Sequence, residues 1–90
     1  MEIKGINILE EKLKKHNGED AVIRISHKLY GEQKIKAELN YICDEGRIGF
    51  SLKKGQEIYI YKEEVKEFGI EGGIYFADDL MRIDIKLHEQ

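Results

Sequence analysis

From Ala21 to Tyr61 the chain alternates apolar and polar residues with a period of two, and nothing else in it constrains the fold as strongly. Ala21, Ile23, Ile25, His27 and Leu29 fall on one face of the first segment. Val22, Arg24, Ser26, Lys28 and Tyr30 fall on the other. The pattern resumes with Ile35, Ala37, Leu39, Tyr41 and Cys43, then with Ile48, Phe50 and Leu52. A period of two sends successive side chains to opposite faces, so these segments read as half-buried antiparallel strands.

Turn residues set the expected register, because a one-residue slip would turn each apolar set to the wrong face. A turn centred on Gly31 pairs Leu29 with Ile35, Ile25 with Leu39 and Ile23 with Tyr41, and puts His27 opposite Ala37. The Glu45-Gly46 turn pairs Cys43 with Ile48, Tyr41 with Phe50 and Leu39 with Leu52. It also sets Glu38 against Lys53 and Asp44 against Arg47, which are favourable cross-strand charges. A three-residue loop, Lys53-Lys54-Gly55, pairs Phe50 with Ile58 and Ile48 with Ile60. Three interior rows follow: Ile23, Tyr41, Phe50 and Ile58; Ala21, Cys43, Ile48 and Ile60; Ile25, Leu39, Leu52 and Gln56.

The flanks are read by the same rules. Ile6, Leu9 and Leu13 form one stripe at helical spacing, Asn7 and Glu10 suit an N-terminal cap, and Asn17-Gly18 suits a stop. After Tyr61, Phe68 with Ile70, Ile74 with Phe76, and Met81, Ile83, Ile85 and Leu87 mark further short strands. The expected fold is α+β and mainly β. An N-terminal helix packs on a strongly bent antiparallel meander of six or seven short strands, either an open curved sheet or a partly closed small barrel. The expected single domain, 1–90, has a helix at about 8–16 and strands at about 21–30, 34–43, 47–53, 56–61, 66–71, 74–77 and 80–87.

Composition narrows the function classes. The net charge is −3 and the pI about 5.6, an acidic balance that disfavours nucleic acid as a partner. A lone cysteine, Cys43, fits a reducing compartment and staples nothing. No apolar run reaches the length of a membrane span, and the first residues lack a signal-peptide pattern. The expected location is cytoplasmic, with no membrane partner.

Chemistry-bearing residues form no convincing constellation. Asp78 and Asp79 sit between two apolar strands, where turn residues belong, and Asp84 alternates with Arg82 and Lys86 on an outward face. His16, His27, His88 and Cys43 show no metal-ligand spacing, and the glycines build no phosphate loop. The reading is therefore no catalytic residue, no metal and no cofactor.

The informative feature is an outer-face row: Val22, Ile42, Gly49 and Tyr59, with Tyr61 beside it and opposite Arg47. A solvent face does not need such a row. Either the helix lays Ile6, Leu9 and Leu13 over the row, or Tyr59 simply covers bare backbone at Gly49, or Val22, Ile42, Tyr59 and Tyr61 form a contact surface. The functional expectation is a small non-enzymatic module that binds a protein partner or a second copy of itself. The alternatives are a nucleic-acid-binding small barrel using Lys34, Lys36, Lys53, Lys54 and Tyr30, or a small enzyme built on His27 and the aspartates.

Overall fold

The computed structural model describes residues 4–42, 44, 46–52 and 55–87. One helix, α1 (Ile6–Lys15), precedes seven strands: β1 (Asp20–His27), β2 (Gly31–Glu38), β3 (Arg47–Ser51), β4 (Glu57–Tyr61), β5 (Glu67–Gly69), β6 (Ile74–Ala77) and β7 (Met81–Leu87). A 3-10 turn, Lys62–Glu64, joins β4 to β5. The fold is mostly β with an N-terminal helix, as the two periodicities require. Its strands make two antiparallel sheets, a larger one ordered β2-β1-β7-β6-β5 and a smaller one of β3 and β4. The main sheet is not closed into a barrel. No helix among the described residues is long and apolar enough to cross a membrane.

The helix starts at Gly5, whose φ of 88° turns the chain into the first turn, so Asn7 lies inside the helix and not at its cap. Its stripe of Ile6, Leu9 and Leu13 is buried in the same core as Ile23, Ile48, Phe50, Ile60, Phe76, Ile83 and Ile85. Glu10 holds the helix to the body of the protein. Its carboxylate accepts from the Tyr41 hydroxyl at 3.0 Å and pairs with Lys62 Nζ at 3.0 Å, both mostly out of water. The helix ends at Lys15 with His16 as its cap, and Gly18, at φ 92°, lies in the turn that follows.

Apolar rows run across the inner face of the main sheet. One joins Ile35, Ile23, Ile85 and Ile74, and the next joins Ile25, Ile83, Phe76 and Phe68. The small sheet contributes Ile48, Phe50 and Ile60 to the same core. At roughly 1.5–3 kcal/mol for each fully buried large side chain, these rows supply the main drive to fold.

Two parts of the expected register hold. Tyr41 faces Phe50 and Asp44 faces Arg47, and Phe50 pairs with Ile58 and Ile48 with Ile60. Gly55 takes the left-handed conformation, φ 76°, and the Leu52 N–H donates to the Gln56 carbonyl, closing the three-residue loop.

The first hairpin is different. His27 pairs with Gly31, so Lys28-Leu29-Tyr30 is the loop, and Gly31, at φ 83°, ends the turn instead of centring it. Ile23 therefore faces Ile35 and Ile25 faces Gln33, where Tyr41 and Leu39 were expected. His27 lies between Gly31 and Met81 and does not face Ala37. Leu29 points to solvent. The displacement is an even number of residues, so every strand residue keeps its face while its neighbours change.

The meander is interrupted as well. β3, expected beside β2, lies in the other sheet, and β1 takes β7 as its second neighbour, the isoleucines of both strands meeting across the ladder as Ile23 with Ile85 and Ile25 with Ile83. Ile23 thus belongs to one sheet and Phe50 with Ile58 to the other, so the expected four-strand rows are split between two layers of one core. Gln56, expected inside, is exposed, and Glu38 faces Asp20. Cys43, Lys53, Lys54 and His88 lie outside the described residues.

Candidate functional site

The outward face of the small sheet carries a compact polar–aromatic cluster. Arg47 faces Tyr61 and Gly49 faces Tyr59. The Arg47 guanidinium donates to Asp44, with Nε at 2.9 Å from Oδ2, and through Nη1 to Glu57 at 2.9 Å. These two carboxylates raise its pKa further above an already high value. The same guanidinium lies over the Tyr59 ring, 4.8 Å from its centroid, a cation–π geometry. Tyr59 and Tyr61 meet edge to face at 5.5 Å.

Gly49 explains part of this arrangement. A Cβ there would collide with the Ile58 carbonyl oxygen and with Tyr59, so Tyr59 covers bare backbone. Ile42, whose N–H donates to the Gly49 carbonyl, is buried beside it. The helix does not cover this row, because its stripe belongs to the interior core. Val22 is not in the row at all. It lies on the main sheet, half-buried, between Lys36 and Lys86. Of the four expected contact residues, the structure places Tyr59 and Tyr61 on the small sheet with Ile42 bonded to it at Gly49, and leaves Val22 on the main sheet. Only Tyr61, 47% accessible, is substantially exposed.

Another exposed apolar surface occupies the tip of the first hairpin. Leu29 is 71% accessible, Tyr30 is 84% accessible, and Leu80, from the turn between β6 and β7, is 49% accessible. The Lys28 N–H donates to the Leu80 carbonyl at 2.9 Å and ties the two turns together. His27 stiffens the tip: its Nδ1 accepts the Leu29 N–H at 3.0 Å, and its ring lies 4.6 Å from that of Tyr30. This surface escaped the period-two reading, which placed Leu29 inside. The available signal was Gly31, which permits a three-residue loop over Lys28–Tyr30.

The aspartates act locally. Asp78 Oδ1 accepts from the N–H groups of Leu80 and Met81 at 2.9 and 2.7 Å, a side-chain turn that shapes the same tip. Asp84 binds Arg82, which lies 4.1 Å over the Tyr75 ring on the outer face of the main sheet. Among the described residues no three His, Cys, Asp or Glu side chains converge to hold a metal ion. In comparisons with known proteins, the chain matches no family model, no curated protein and no solved structure.

Proposed function

We propose that this chain is a small non-enzymatic module that binds a protein partner or a second copy of itself, with the hairpin tip as its main contact. One observation carries the reading: Leu29, Tyr30 and Leu80 are three of the most exposed large apolar side chains, and they share one end of the molecule. Exposed leucine and tyrosine side by side are costly in water and useful in an interface, where tyrosine is enriched. The turn hydrogen bonds of His27 and Asp78 hold the tip in place, so little order is lost on docking. Tyr61 offers a second exposed aromatic on the other sheet, with Tyr59 packed against it edge to face. Val22 contributes least to this surface.

The test replaces both tip residues, Leu29→Ser with Tyr30→Ser, and follows mass against concentration by light scattering, with cross-linking in a cell extract alongside. The native chain is expected to gain mass or to cross-link to a defined partner, and the double variant to do neither while keeping its circular dichroism. Indistinguishable behaviour of the two proteins in both experiments would overturn the reading.

A further inference from the structure

Strand β2 is paired on one side only. β1 lies along all of it, and among the described residues no strand covers its other edge. The Leu39 N–H donates to Glu19 across the same ladder. By antiparallel alternation, residues 33, 35 and 37 turn their backbone groups toward β1, and residues 32, 34, 36 and 38 turn theirs to the open edge. A groove of about 860 Å³ runs along β2, lined in part by Ile35, Ala37, Leu52 and Gln56. Ile35, Ala37 and Leu52 are only half-buried there.

The charges along β2 state what would fit. Glu32 is matched, since Arg24 Nε donates to it at 2.6 Å. Lys34, however, also faces Arg24, and Glu38 faces Asp20, both like-charged pairs. Lys36 faces Val22. A strand that set carboxylates opposite Lys34 and Lys36 and a cation opposite Glu38 would offset both repulsions. A second copy does not do this. Antiparallel pairing of two β2 strands centred on Ile35 sets Glu32 against Glu38 and Lys34 against Lys36. Sliding it by one pair leaves Lys34 against Lys34, or pairs Lys34 with Glu38 but sets Lys36 against Lys36, so no register along β2 gives both lysines a carboxylate. Edge lysines commonly block self-pairing, and here they leave a foreign strand admissible.

We infer that the open edge of β2 accepts an extended segment of a partner protein, paired antiparallel, that reads base, apolar, acid, apolar, acid along its length. Its apolar side chains enter the groove beside Ile35 and Leu52, and its backbone completes the ladder. The inference rests on the protein-binding reading above and adds the chemistry of the partner.

The experiment titrates the full chain with a synthetic peptide containing Lys-Val-Glu-Val-Glu and with its charge-reversed counterpart, Glu-Val-Lys-Val-Lys, by fluorescence anisotropy and amide hydrogen exchange. The first peptide is expected to bind about tenfold tighter. The Lys34 and Lys36 amides should gain protection, and the Lys34→Glu, Lys36→Glu double variant should invert the preference. Binding of neither peptide, equal binding of both, or protection confined to other strands would overturn the inference. The Leu29→Ser, Tyr30→Ser variant separates the two proposals. If it loses association while neither peptide binds the native chain, the edge inference fails and the module stands. If the first peptide binds native chain and variant alike, the edge stands whatever the tip does.

Discussion

Phe50 of the small sheet meets Phe76 of the main sheet, with ring centroids 6.4 Å apart and planes inclined at 47°. Both side chains are fully buried, so this contact is where the two layers are locked together. Replacing either by alanine is expected to cost about 3–5 kcal/mol. That is a large share of the roughly 5–15 kcal/mol of total stability typical of a domain. A double-mutant cycle read by urea unfolding should show coupling of about 0.5–1.5 kcal/mol. Strict additivity would mean that the rings do not act as a pair.

Gly49 and Gly69 should respond differently to the same added methyl group. At Gly49 the new Cβ meets the Ile58 backbone, which cannot move without distorting the β3–β4 ladder. At Gly69 it meets the edge of the Tyr75 ring, a side chain that can swing away. Gly49→Ala is expected to lose more than about 2 kcal/mol, and Gly69→Ala about 1 kcal/mol. The second change should also release Arg82 from its place over Tyr75. Thermal unfolding of the two variants compares them, and equal losses would refute the distinction.

Asp20 and Glu38, both exposed, oppose each other directly across β1 and β2. Glu38→Lys converts repulsion to attraction and should stabilise the fold by about 0.3–1 kcal/mol. The gain should shrink as salt rises, because exposed charges are screened. A variant no more stable than the native chain at low salt would show that the pair is held too far apart to matter.

The Tyr61 phenol is held above the ordinary tyrosine range, chiefly by hydrogen bonding to Tyr59. The folded chain then keeps this proton more tightly than the unfolded one. Its contribution to stability is complete below about pH 10, the ordinary value, and is lost as pH rises through the raised folded value. Tyr59→Phe should bring the Tyr61 phenol back toward the ordinary range in an ultraviolet titration. An unchanged curve would remove Tyr59 as the cause.

Alternation told which face the residues of the first four strands would take, save at strand ends such as Leu29 and Gln56, because a period of two is a local property. The β3–β4 register was legible too, since Gly55 admits one loop length that buries Ile58 and Ile60. Strand neighbours were not legible. Ile23 and Ile25 would pack as well against several isoleucine-bearing strands, and only the full set of pairings decides for β7. The first hairpin misled because Gly31 marks either the centre or the end of a turn, and the choice moves Leu29 from core to tip. The same ambiguity concealed the apolar tip, whereas the Gly49–Tyr59 pair could be read directly. Val22 was separated from that pair by the topology, which no local pattern encodes.

Strand β1 waits for a neighbour that is made late. Ile23 and Ile85 are paired although roughly sixty positions separate them along the chain. During synthesis the β1–β2 hairpin can form early, whereas β1 keeps a bare flank until β7 has left the ribosome. In the finished sheet β7 lies between β1 and β6 and joins the early and late halves of the chain. Until then, nascent copies crowded on one messenger present that bare flank to each other, and aggregation competes with completion of the sheet.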